Sequence, residues 1–243
     1  YPTVKALTYK IARREGIGDL LAEGYAETLK TIGRGAEEFG ETFKNRFMSD
    51  PRGRHFQAMT IADMVSPRGY GGIHGLGPSF MPNHPVSTFR RYLDKLGLSQ
   101  EHIDKICSPT DVNLARMLVH TENLQIVYNC LGVCARQPIG QCYNQNLAAQ
   151  LYSAATGFQT EPQEILNLGE RVYNLYKMNN VREGFSRKDD KYPEKWLRPL
   201  EKDGKSVSLI DYFGNPLGRE GLEQILDDYY DERGYDKATG TPG

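Results

Sequence analysis

Apolar residues recur along this chain at three- and four-residue intervals, which predicts helices rather than strands. Val4, Leu7 and Ile11 share one face of a first helix. Gly16-Ile17-Gly18 breaks it, and Asp19 is placed to cap a second that carries Leu20, Leu21 and Leu29. Between residues 34 and 84 the periodicity lapses into a Gly- and Pro-rich, irregular stretch. A loop that long inside a compact domain is usually functional or disordered. Helical spacing returns at residue 85. Ser87 can cap a helix through Tyr92 and Leu93, and Ser99 a shorter one ending near Cys107. Thr110 can cap a long helix marked by Leu114, Met117, Leu118, Leu124 and Tyr128. Residues 143–156 read as another, closed by Gly157. Thr160 with Gln163 resembles a capping box, and Pro162 suits the first turn of a helix with Ile165, Leu168, Val172 and Leu175. Residues 186–217 read as charged and irregular, with Lys188-Asp189-Asp190-Lys191 in solvent. A last helix spans 219–233 and stops at Gly234. There is no internal repeat and no strand series, so the fold expected is all-α.

Composition narrows the options. The 243 residues suffice for one large or two small domains. Thirty Lys and Arg against 31 Asp and Glu leave a net charge of -1, which gives no electrostatic case for nucleic acid or an anionic membrane. Apolar runs are too short to span a bilayer. The start Tyr1-Pro2 and the end Thr241-Pro242-Gly243 suggest a piece of a longer protein. Four cysteines, at 107, 130, 134 and 142, are too few for a disulfide scaffold and suit a reducing, cytoplasmic setting, as packing groups or metal ligands.

The densest chemistry is the turn Asn129-Cys130-Leu131-Gly132-Val133-Cys134 at the end of the long helix. A thiolate at a helix end beside a glycine can be handed to a metal cluster. Two cysteines one turn apart can equally be inert buried thiols. A second concentration is Val65 to Pro78, with five glycines around His74. No strand precedes it and no Lys-Ser/Thr follows, which rejects a phosphate-binding P-loop. The alternatives are a backbone that must run close to a ligand, with an imidazole suited to proton transfer, or a histidine on a surface loop.

Several segments together resemble one family, the tungsten-containing aldehyde:ferredoxin oxidoreductases. They are Ile11 to Gly24, Asp50-Pro51-Arg52-Gly53, Ser66-Pro67-Arg68-Gly69 with His74-Gly75, Asn129 to Cys134, Thr156-Gly157, Gly169-Glu170-Arg171, Asn180 to Gly184, Asp189 to Pro193, and Tyr229-Tyr230 with Arg233 to Asp236. Their order over almost the whole chain is similar to the two-lobed helical C-terminal half of such enzymes. The resemblance implies that residues 1–60 end a helical middle domain and that residues 61–243 form the C-terminal helical domain with a long Gly/Pro-rich loop.

The resemblance further implies a tungsten (or molybdenum) bis-pterin centre and a 4Fe–4S cluster. Cys134 would be the cluster's fourth cysteine, and Asn129, Gly132 and Val133 the second pterin turn. The family has aspartate where this chain has Asn129, which keeps a carbonyl acceptor and loses the charge. His74 would handle the substrate carbonyl or its proton, with His84, in an apparent insertion around 78–85, a weaker candidate. The implied partners are the N-terminal part of the same enzyme, which would hold the other cluster cysteines, and ferredoxin or an electron-transfer subunit. The implied reaction oxidises an aldehyde to a carboxylate, and the enzyme is a candidate homo-oligomer. Two rivals stand: a relative that reduces the ring of an aromatic acyl-CoA, and a helical scaffold without cofactor.

The remaining candidates have blander readings. Cys107 reads as core, and His55, His102 and His120 as surface or helix-face residues. Arg171 and Arg182 either balance cofactor charge or form surface ion pairs. Trp196, Tyr229 and Tyr230 read as packing anchors.

Overall fold

A computed structural model describes residues 1–36, 40, 42–44, 46–47, 56–67, 83–133 and 144–243. It divides into two compact units, Tyr1–Ser49 and Asp50–Gly243. In the first, α1 (Pro2–Arg13), α2 (Ile17–Ala22) and α3 (Tyr25–Ile32) follow one another through glycine corners. The expected second helix is thus two, because Gly24 interrupts it with φ 89°. Asp19 lies in the first turn of α2 rather than capping it, and pairs with Arg14, which also holds Glu23. A two-residue antiparallel pair, β1 (Thr42–Phe43) with β2 (Arg46–Phe47), completes the described part of this unit.

The second unit is built around α7 (Leu114–Cys130). Thirteen of its residues are buried, so neighbours cover it on every side. These are α4 (Ala58–Val65), α6 (Gln100–Ile106), α8 (Gln145–Thr156), α9 (Pro162–Arg182) and α10 (Arg219–Arg233). α5 (Val86–Lys95) packs on α6. The tightest crossing is α7 on α9. A Cβ at Gly169 would lie 2.2 Å from the Asn123 carbonyl oxygen, so only glycine lets the two backbones meet there. A hairpin, β3 (Leu200–Lys202) with β4 (Lys205–Val207), precedes α10. All-α is therefore the fold class, with two minute hairpins among the described residues.

Local expectations are corrected in five places, the first being α5, which opens after Pro85 with Ser87 inside its first turn rather than capping it. Residues 58–65, expected to be irregular, form α4; seven of its eight residues are buried, and a helix buried all round carries no amphipathic stripe. The cap of α7 is Asn113, whose side chain accepts from Arg116 N–H at 3.1 Å, not Thr110. Thr110 instead belongs to a turn in which the Ser108 hydroxyl accepts from the N–H groups of Thr110 and Asp111. At the start of α9 the Glu164 carboxylate accepts from Glu161 N–H at 2.8 Å, one residue on from the expected box. Asp190, expected in solvent, is buried, ion-paired to Lys177 and hydrogen-bonded to Tyr230 at 2.6 Å. The Ser99 cap, the stops at Gly157 and Gly234, and the buried Trp196, Tyr229 and Tyr230 are as expected. No helix among the described residues is long and apolar enough to cross a membrane.

Candidate functional site

The end of α7 is closed by its own backbone. Val133 N–H donates to the Tyr128 carbonyl at 2.9 Å and Gly132 N–H to the Asn129 carbonyl at 3.2 Å, with Gly132 left-handed at φ 75°. These are the paired bonds of a Schellman cap, which requires the left-handed residue that glycine supplies most cheaply. Gly132 therefore has a reason in the helix itself, and open space lies where its side chain would be. The Tyr128 hydroxyl donates to the Asn144 carbonyl at 2.7 Å, so the end of α7 is tied to the cap of α8. The chain between these two helix ends, residues 134–143, includes Cys134 and Cys142. Both cysteines lie outside the described residues.

Beside this turn two side-chain amides are paired. Asn129 is half-buried, and its Oδ1 accepts from Gln125 Nε2 at 3.0 Å. The other end of that amide, Gln125 Oε1, is buried with no hydrogen-bond partner. A buried acceptor left unpaired costs about 1–3 kcal/mol, so the group lacks something to accept from. The last carbonyls of a helix add partial negative charge at the same end. A pterin edge carries N–H donors and ring-nitrogen acceptors, and the half-buried Asn129 amide, with its NH2 free, can meet an acceptor on such an edge. Cys130 is exposed rather than buried, which removes the reading of two inert core thiols for that residue. Cys107 is buried as expected, and burial pushes its thiol up.

His74 also lies outside the described residues. The described chain leading to its loop is anchored where Asn180 Nδ2 donates to the Pro67 carbonyl at 2.6 Å. His84 borders an open groove of about 530 Å³ with Tyr212 and Phe213, and its N–H donates to the Tyr212 hydroxyl at 3.0 Å. Arg171 and Arg182 are exposed on α9, Arg182 only 3.8 Å from the equally exposed Glu183.

His102 and His120 are not independent surface residues. Their Nε2 atoms lie 2.5 and 2.8 Å from one oxygen of Glu232, a carboxylate 2% exposed. The three residues come from α6, α7 and α10, separations that no local spacing reveals.

The fold is shared with a solved structure. The active site complex BamBC of benzoyl coenzyme A reductase, in complex with 1,5 dienoyl-CoA, superposes with a TM-score of 0.67 over 97% of this chain and 36% of that one, at 20% identity. The model of the family "Aldehyde ferredoxin oxidoreductase, domains 2 & 3" matches residues 1–243, and the chain belongs to that family. Tungsten-containing aldehyde ferredoxin oxidoreductases of Pyrococcus horikoshii and Pyrococcus furiosus are 24% and 25% identical to it over 229 residues. The enzyme of that name from Thermococcus kodakarensis is 23% identical over the same length. The chain spans about a third of the length of these curated relatives.

Proposed function

We propose that this chain is the helical C-terminal part of a cytoplasmic tungsten (or molybdenum) bis-pterin oxidoreductase, with residues 1–60 ending its middle domain and 61–243 forming its terminal one. Family membership across residues 1–243 carries the proposal, and the half-buried Asn129 amide at the capped end of α7 supports it. In this reading Asn129, Gly132 and Val133 hold the second pterin, and Cys134 is one thiolate of a 4Fe–4S cluster whose other ligands lie in the N-terminal part of the enzyme. The bound centre would supply two-electron redox chemistry and the cluster a path for single electrons to ferredoxin or a partner subunit.

This chain's residues would position and tune. The Schellman cap fixes the direction in which the backbone leaves Val133 toward Cys134. Gln125 holds the Asn129 amide from one turn below. His74 would give or take a proton at the substrate's carbonyl oxygen. The reaction proposed is aldehyde to carboxylate. Ring reduction of an aromatic acyl-CoA is the second reading, favoured by the benzoyl coenzyme A reductase likeness of the fold.

The test is the full-length protein and its Cys134→Ser variant, analysed for W, Mo and Fe and by EPR of the reduced cluster. The proposal expects a tungsten or molybdenum centre with a cluster in the parent, and a lost or altered cluster signal with unchanged helix content in the variant. A parent protein free of W, Mo and Fe would make the chain a helical scaffold. Turnover of an aryl acyl-CoA and not of simple aldehydes would select the second reading.

A further inference from the structure

The cluster of His102, His120 and Glu232 lies apart from the α7 turn and is not needed by the function proposed above. His102 sits in the first turns of α6, after the Ser99 cap; His120 lies midway along α7; Glu232 is next to last in α10. The two rings meet edge to face with centroids 5.0 Å apart. Both Nε2 atoms converge on Glu232 Oε1, and all three atoms lie within 4.8 Å of one another. We propose that these three residues form a binding site for a divalent transition ion of the zinc type, held by two imidazole nitrogens and one carboxylate oxygen, which clamps α6, α7 and α10 together.

The chemistry matches the ion. Neutral imidazole and carboxylate are borderline ligands, suited to Zn(II) and its first-row neighbours. Ligands about 2.0–2.1 Å from a tetrahedral ion stand roughly 3.3 Å from one another. The two nitrogen–oxygen separations would therefore open by less than an ångström. The His102 side chain, 37% exposed on the seven-residue α6, has the freedom to make that movement. Its exposure also leaves the fourth coordination position facing solvent, open to a water.

The cations beside Glu232 hold its other oxygen. Arg116 Nη1 and Lys105 Nζ lie 3.1 and 3.3 Å from Oε2, leaving Oε1 to the histidines. Asp228 and Asp231 pair with Arg116, and Lys237 lies 3.8 Å from Asp231. With Glu232 itself counted, three carboxylates face three cations, so the site as a whole is close to neutral before an ion binds. Arg116 and Lys105 also brace the carboxylate in the way outer partners brace metal ligands.

The experiment uses the full-length protein, dialysed against a chelator too weak to unfold it and then titrated with zinc. It reads zinc per chain by elemental analysis, separately from W, Mo and Fe, with coordination read at the zinc X-ray edge. The expected result is one added zinc with two imidazoles and a carboxylate, and a thermal midpoint that rises with zinc. His102→Ala and His120→Ala, each made alone, should weaken binding beyond the roughly 10–100-fold that outer-shell changes cost, and abolish the rise. No zinc uptake by the parent, sulfur-only ligation at the edge, or equal affinity in parent and both variants would overturn the proposal and leave the triad a hydrogen-bonded clamp. None of these outcomes bears on the tungsten reading.

Discussion

Arg233→Met tests how the second unit is held together at its centre. Arg233 and Glu122 are both fully buried and 2.7 Å apart. Arg233 also donates to Asn123 Oδ1 at 2.6 Å and to the Tyr229 hydroxyl at 3.2 Å, and its guanidinium lies 3.8 Å from the Tyr173 ring centre. Tyr229 in turn donates to Glu122 at 2.6 Å. Burial pushes the Glu122 carboxyl up, and Arg233 with the tyrosine hydroxyls pulls it back. Methionine keeps much of the arginine stem and removes the charge. Left ionised, Glu122 would then cost about 3–5 kcal/mol as a buried charge without its partner. Taking up a proton at pH 7 costs about 2.7 pH units at about 1.36 kcal/mol each, roughly 3.7 kcal/mol, against an unfolded glutamate that ionises near pH 4.3. The two routes are close, and protonation sets the ceiling at about 3.7 kcal/mol. In the variant the folded state then binds a proton that the unfolded chain has lost, so its stability falls as pH rises, by about 1.4 kcal/mol per unit. Amide protection in α7 and α10, measured by hydrogen exchange in the full-length protein, should show a loss of 3–4 kcal/mol (about) at pH 7 and about 1.4 kcal/mol less at pH 6. Adding Glu122→Gln should remove that slope. A loss that is the same at both pH values, or a loss below about 1 kcal/mol, would refute the reasoning.

Two glycines should separate by mechanism. Gly169→Ala drives a methyl to 2.2 Å from the Asn123 carbonyl and should lower the melting temperature through about 1–3 kcal/mol of overpacking. Gly132→Ala meets open space and should cost only the left-handed backbone, about 1–2 kcal/mol, with the α7–α9 crossing intact by hydrogen exchange. Burial works to raise the Glu232 carboxyl, but hydrogen bonds from His120 and His102 prevail and hold it well below the usual carboxylate range. A depressed carboxyl stabilises above the ordinary glutamate range and loses that contribution as pH falls, so Glu232→Gln should flatten the acid side of a circular-dichroism stability profile below about pH 4.

What was legible in the sequence is what local physics decides. α10 could be bounded at both ends because its apolar spacing and the left-handed Gly234 are local. α6 was readable through Ser99 for the same reason. α4 escaped because it is buried on all sides, and amphipathic periodicity is a property of half-buried helices. Asp190 looked solvated among Lys188, Asp189 and Lys191, yet Lys177 and Tyr230, distant in sequence, draw it into the core. The triad failed to show for a similar reason: Glu232 stands 112 residues from His120. The candidate turn was legible as a pattern, while its Schellman bonds and the unpaired Gln125 oxygen are tertiary facts that no spacing encodes.

Those tertiary facts change which residues of the turn carry information about a cofactor. Gly132 is explained by the cap alone, so its presence argues equally for a cofactor turn and for any helix stopped this way. The Gln125–Asn129 amide pair is different. With Gln125 Nε2 donating to Asn129 Oδ1, the free face of Asn129 is its NH2, a donor, and the unpaired atom is the buried Gln125 acceptor. Turning both amides end for end keeps one hydrogen bond between them, now from Asn129 Nδ2 to Gln125 Oε1. That arrangement pairs the buried acceptor, frees Asn129 Oδ1 to receive an N–H, and leaves a Gln125 donor instead. An aspartate at position 129 could only accept. The asparagine lets the helix end present either polarity, and Gln125, locked in the core at 1% exposure, decides which. The polarity that residue 129 presents is therefore set one helical turn below it, at residue 125.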